Sequence, residues 1–214
     1  MKHTLYVILC LALLSCQNQE NQNEQTTPVT TPAPDTAAAV AQPAPPPTPD
    51  PAYLIKPGES IGKIELGMPG TNLAKILGEP DSTDAAMGKA LLFWVDGQEY
   101  VALYTVADFG GKDERPKVQQ VQVTSPAFKT ADGIGTGKAL PEIRRTYSGL
   151  QPLAYYQNAQ QQQVYIFDDR QQGIAFEVTL PDSTCTAITI HPKGESMTDA
   201  YLPLHPDMTR IGRQ

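Results

Sequence analysis

The sequence predicts an α+β fold of two tandem units, each a short helix followed by an antiparallel sheet of three or four strands, carried on a disordered tether. Three observations lead there. Apolar residues recur at helical spacing twice, as Leu73, Ile76 and Leu77 and again as Leu140, Ile143 and Tyr147. After each of these stretches the apolar period changes to two. Strands grouped in runs behind a helix, rather than alternating with helices, argue for α+β and against a doubly wound parallel sheet.

The first unit is expected over residues 52–127. Leu66-Gly67 precedes a turn, Thr71 is placed to cap the helix, and Gly78 closes it where a left-handed conformation is commonly needed, with Pro80 just beyond. Leu91–Val95 and Tyr100–Val106 read as a hairpin turning at Asp96-Gly97, and Val118–Val123 as a third strand. The second unit is expected over residues 128–193. Ile134-Gly135 precedes its turn, Pro141 sits in the first turn of its helix, and Gly149 and Pro152 follow. Its strands are Leu153–Tyr156, Val164–Phe167, Ile174–Leu180 and Ala187–His191. Ile174, Phe176, Val178 and Leu180 alternate with Ala175, Glu177 and Thr179, the pattern of a half-buried antiparallel strand. Residues 194–214 form a C-terminal tail of mixed prolines, charges and apolar residues.

The motif at Ile64–Pro80, Ile-x-Leu-Gly-Met followed by Leu-x-x-Ile-Leu-Gly-x-Pro, resembles the repeat of the β-lactamase-inhibitor-protein-like fold and of the SmpA/OmlA (BamE-like) outer-membrane lipoproteins. Asp132–Tyr147 is a weaker match. The resemblance implies a repeated α+β domain in a bacterial lipoprotein. Its motifs are structural glycines and apolar residues, so neither the assembly role nor the inhibitor's binding residues carry over.

The N-terminus reads as an address. Residues 1–15 have a short basic start at Lys2 and His3 and a ten-residue apolar run from Leu5 to Leu14, too short to span a bilayer and of the length of a signal-peptide core. The run ends in Leu13-Leu14-Ser15-Cys16, which resembles a bacterial lipobox. That resemblance implies cleavage before Cys16 and acylation of its thiol. Several acyl chains, at about 0.8 kcal/mol per buried methylene, hold a domain on a membrane durably. The expected localisation is the cell envelope. Gln17, where an Asp would favour the inner membrane under the enteric rule, leans towards the outer membrane, and the periplasmic and surface faces both stay open.

Residues 16–51 hold the lipidated cysteine and a Pro/Thr/Ala/Gln-rich tether. Between positions 17 and 50 there are eight prolines, four acids and no Lys or Arg. Such a segment buries too little apolar surface to offset the entropy of ordering. The whole chain of 214 residues has a formal charge of −7, and the tether supplies much of the imbalance, leaving 15 bases and 19 acids in residues 51–214. With no basic excess to release counterions from phosphates, nucleic acid is excluded as the main partner.

No catalytic set stands out, and the sequence implies no cofactor and no metal site. Gly133–Lys138 lacks the first glycine and the final Ser/Thr of a phosphate loop, since Asp132 and Ala139 occupy those positions. Asp168-Asp169 reads as a solvated hairpin turn. His191 and His205 lie near Glu195, Asp199 and Asp207 without the short, regular spacing of a zinc site. Cys185, the thiol left free after lipidation, reads as a small core residue. Trp94, Tyr100, Tyr104, Tyr155, Tyr156 and Tyr165 all fall on predicted strands, and of these Trp94, Tyr100, Tyr104 and Tyr165 are the candidate binding surface, because Tyr and Trp favour interfaces. The functional expectation is a lipid-anchored envelope protein with a non-catalytic domain that binds a protein or envelope component. An outer-membrane assembly or structural factor is the alternative, and an envelope hydrolase with its site scattered over the loops is the third reading, which a deep polar pocket holding Cys185 and His191 together would favour.

Overall fold

The computed structural model describes residues 50–199 and 204–212, all within a single unit spanning Ala44–Gln214. The signal peptide, Cys16, the tether up to residue 49 and Tyr201 and Leu202 of the tail lie outside the described residues.

Strands dominate. In chain order the elements are β1 (Leu54–Lys56), β2 (Ser60–Ile61), β3 (Ile64–Glu65), α1 (Leu73–Leu77), β4 (Ser82–Ala86), β5 (Lys89–Asp96), β6 (Glu99–Val106), β7 (Lys117–Val123), β8 (Lys129–Thr130), α2 (Leu140–Thr146), β9 (Gln151–Gln157), β10 (Gln163–Asp169), β11 (Ile174–Thr179), β12 (Thr184–Ile190) and β13 (Thr209–Arg210). They form a four-stranded sheet of order β3-β2-β1-β8 and a nine-stranded sheet of order β13-β9-β10-β11-β12-β7-β6-β5-β4.

This corrects the expected fold class. The chain is not two tandem helix-plus-sheet units. Strands from both halves join one antiparallel sheet, sealed where β7 pairs β12 through Val123↔Ile188, Gln122↔Thr189 and Val121↔Ile190. The physical reason is the edge. A separate three-stranded unit ending at β7 would leave a row of unpaired backbone groups, and β12 satisfies them. The helices are also too short, at five and seven residues, for each to cover a sheet of its own. A stretch of all-exposed residues, Ser82–Ala86, adds the far edge strand, and the tail adds the other edge by pairing Thr209↔Tyr155 and Arg210↔Ala154.

Residues facing each other across an antiparallel ladder share a face. On one face of the large sheet lie Leu103, Val121, Val123, Phe176, Ile188 and Ile190, all wholly buried. Against them pack Leu73 of α1, Ile143 of α2, Tyr147 beyond it, and Ile55, Ile61 and Ile64 of the small sheet. Gly78 ends α1 at φ +80°, a conformation costly for any residue with a Cβ. Gly173, at φ +73°, opens β11 where a Cβ would collide with the backbone of His191 and Gly58, so the β10–β11 hairpin can press against the loop between β1 and β2.

The opposite face carries the alternate residues: Ala102, Gln120, Gln122, Thr189, Ala175, Glu177, Ile166 and Ala154. Met197 packs with Ala154, Ile166 and Ala175, and Met208 lies beside them, so the described part of the tail crosses this face.

Candidate functional site

The polar face is built around one carboxylate. Glu177 follows Phe176 in β11, so its side chain points to the opposite face, and it is 2% exposed. A bulge at this point sets Glu177 against Ala187 and Val178 against Cys185, leaving Thr186 unpaired in the ladder.

Three donors converge on the carboxylate. Gln122 Nε2 donates to Oε1 at 2.7 Å, His205 Nε2 donates to the same oxygen at 2.9 Å, and Tyr156 OH donates to Oε2 at 2.7 Å. A second layer holds these donors. Tyr100 OH donates to Gln122 Oε1 at 2.7 Å, Gln122 Nε2 reaches Thr189 Oγ1 at 3.0 Å, and the His205 ring stacks on Tyr156 at 3.7 Å between centroids. Gln120 Nε2 donates to the carbonyl of Met197 at 2.8 Å and ties the tail to the same face.

Burial by itself would raise the Glu177 pKa. The hydrogen bonds and the charge of His205, together with Tyr156 and Gln122, outweigh it, and the net direction is down. The phenols of Tyr100 and Tyr156 shift up, first through burial and then through the negative Glu177, so both remain donors. The Cys185 thiol is likewise pushed up, by burial and then by Glu177, and it lies 3.4 Å from the Ala187 carbonyl.

Above this network opens a cleft of about 730 Å³, within the range of small-molecule sites. Most of its lining side chains are hydroxyls and amides of Thr, Tyr, Asn and Gln; Glu99, Glu177 and Asp182 add carboxylates, and among the described residues no Lys or Arg lines it. Thr179, 7% exposed, lies at the end of β11, and its buried Oγ1 has no hydrogen-bond partner among the described residues.

The four aromatic candidates separate. Tyr100 and Tyr104 lie on the polar face and Trp94 and Tyr165 on the apolar one, because Trp94 faces Val101 while Val95 faces Tyr100. Tyr100 lines the cleft, and Tyr104 is buried beside it in β6 without reaching the lining. Trp94 donates from Nε1 to the carbonyl of Gly78 at 3.1 Å and lines a second cavity of about 500 Å³ with Tyr53 and Phe128. Tyr165 packs against Tyr155 and Phe167.

The remaining candidates fall elsewhere. Asp168 and Asp169 are not a solvated turn; both are buried, because His191 sits over the hairpin with Nε2 2.9 Å from Asp168 Oδ1 and Nδ1 3.1 Å from the Pro192 carbonyl. Cys185 in β12 and His191 just past its end stand six residues apart, about 20 Å at 3.3 Å per residue, so they form no catalytic pair. Lys138 bonds Glu142 at 2.6 Å rather than facing into a loop. Among the described residues no group of three or more His, Cys, Asp or Glu is placed to hold a metal ion, and no helix is long and apolar enough to cross a membrane.

Glu177, Gln122 and Thr179 were not singled out by sequence; Tyr156 stood out only as an aromatic residue on a predicted strand and His205 only as a histidine without zinc-site spacing. The available signal was weak: polar residues at the even positions of strands whose odd positions are apolar. That pattern normally means a solvated face.

No family model matches the chain, and no curated protein does. Among solved structures, it is similar to a cysteine-rich secretory protein from Staphylococcus aureus, at 17% identity and TM-score 0.41, over 68% of this chain and 49% of that one. It is also similar to a DUF4309 family protein from Bacillus subtilis, at 13% identity and TM-score 0.35, over 64% of this chain and 88% of that one. The chain thus spans about half the length of the first. At these scores neither likeness carries an argument about fold or function.

Proposed function

We propose that this chain is a lipid-anchored envelope protein whose β domain is a non-catalytic binding module, with the cleft over Glu177 as its binding site. The anchor rests on the apolar run ending at Cys16 and on the polar, proline-rich segment behind it. The lipid on Cys16 supplies the membrane partner, and the cleft receives a second envelope component.

The observation that carries the binding reading is the state of the polar groups. Glu177 accepts three hydrogen bonds and is held ionised, so it is a poor proton acceptor for chemistry. Cys185 is held as a thiol, away from His191, and lacks the activation a nucleophile needs. What remains is a rigid, pre-formed, polar concavity, which suits recognition.

Two measurements test the proposal. Palmitate labelling in cells is expected to disappear in Cys16→Ala; labelling that persists removes the anchor. A benzophenone amino acid at Gln160, an exposed residue on the cleft rim, is expected to give an adduct in intact cells, whereas the same group at exposed Lys75 on α1 is not. Equal adducts at both positions, or none at 160, would count against the cleft.

A further inference from the structure

Resting on the reading of the cleft as a binding site, we infer that its ligand is an uncharged, hydroxyl-rich molecule, a saccharide chain. Three observations select that chemistry.

The first is charge. Among the described residues the lining carries Glu99, Glu177 and Asp182 and neither Lys nor Arg. Phosphate, sulfate and carboxylate groups would enter a field of their own sign, with His205 already engaged by Glu177 and outside the lining, which disfavours anionic polymers and lipid headgroups. Carboxylates and amides do suit hydroxyls: a carboxylate accepts from several O–H groups, and Asn and Gln side chains both donate and accept.

The second is Thr179. Its Oγ1 is buried in the cleft lining without a partner among the described residues. A buried hydroxyl left unpaired costs stability, and a ligand atom able to donate or accept removes that cost on binding. Ligand hydroxyls do both.

The third is the backbone. The cleft floor comes from Val164 of β10 and Glu177 and Thr179 of β11, which pair on both sides, and from Thr184–Ala187 of β12, which pairs β11 on one side while Cys185 exchanges backbone hydrogen bonds with Gly137 and Lys138 on the other. With Cys185 engaged by Gly137 and Lys138, little strand edge is left there for an extended peptide to join, so recognition falls to side chains. Ligands that present polar groups all round a compact ring satisfy such a surface better than a peptide, whose polarity lies in its main chain.

The test uses the full-length chain in detergent, titrated by calorimetry with chitotetraose, maltopentaose, a pentalysine peptide and a glycerol-phosphate oligomer. At least one neutral saccharide is expected to bind saturably. Thr179→Val is expected to weaken that binding about fivefold while leaving the thermal midpoint unchanged or higher, and Thr179→Ser to retain it. A purely structural role for the hydroxyl would lower the midpoint of the valine variant instead. If pentalysine or the phosphate oligomer binds and neither saccharide does, with loss in Thr179→Val, the cleft remains the site and the ligand class is wrong. If a saccharide binds equally well to Thr179→Val, the assignment to this cleft is wrong. If no probe binds, the saccharide assignment fails whatever the cross-linking at Gln160 shows.

Discussion

Phe176 and Glu177 are adjacent in the chain and occupy opposite environments. Phe176 sits among apolar side chains between the large sheet and its cover of helices and small sheet. Glu177 sits under a tail, a tyrosine and a glutamine that give it three hydrogen bonds. Both are almost fully buried. One face is stabilised by removing apolar area from water, which is non-directional and tolerant of detail. The other holds together only because every donor finds the carboxylate, which is directional and fails in steps when a partner is lost. A face built the second way leaves room beside the network, and that room is the cleft.

The comparison can be broken most severely at Phe176. Phe176→Ala is expected to destabilise the domain by about 3–5 kcal/mol, the usual range for an aromatic truncation in a core. Urea unfolding followed by circular dichroism measures it, and a loss under 1 kcal/mol would show that the helix-covered face is loosely packed.

Glu177→Gln tests the polar face with a smaller expected loss, about 1–3 kcal/mol, because the amide keeps the shape but turns an N–H towards a donor. It also carries a pH signature. A carboxylate whose folded pKa lies below its unfolded value contributes stability above the unfolded pKa, and that contribution is lost as pH falls through the folded one. The Glu177 pKa is shifted down. The gap between wild type and Glu177→Gln is therefore expected to be full at pH 6 and to close as the pH drops below about 4.3. A gap that stays constant from pH 6 to pH 3 would show that charge is not what holds the network.

The smallest effect lies at the sheet edge, away from both faces. Met87 and Gly88 form the two-residue turn between β4 and β5 with φ of +52° and +74°, and Met87 is 79% exposed. Such turns favour Asn before Gly. Met87→Asn is expected to raise stability by about 0.5 kcal/mol through relief of the left-handed backbone, visible as a small rise in thermal midpoint. If the midpoint falls, the methionine side chain has a packing role at that edge.

Individual elements were legible where the cause is local. The spacing of Leu73, Ile76 and Leu77 locates α1, and the alternation from Ile174 to Leu180 locates β11 and identifies which of its residues enter the core. The signals failed where partners are distant in sequence. Val123↔Ile188, which turns two expected sheets into one, joins residues 65 positions apart. The short strands β1, β2 and β3 have too few residues to show a period. Of the cleft, Tyr100, Tyr156 and Cys185 drew notice in the sequence, because aromatic and thiol side chains advertise themselves; Glu177 and Thr179 looked like ordinary solvent-facing residues of an alternating strand.

By itself the sequence determined the alternation of apolar and polar residues, the places where the chain turns, and the address-like run at its start, since each is a property of a few neighbouring residues. Tertiary structure alone decided that the polar side of β11 would be buried, that His205 from the tail would complete the hydrogen bonds of Glu177, and that a cleft would open beside them. The reason is that burial and hydrogen-bond satisfaction depend on which distant segments arrive, and side-chain periodicity carries no record of them.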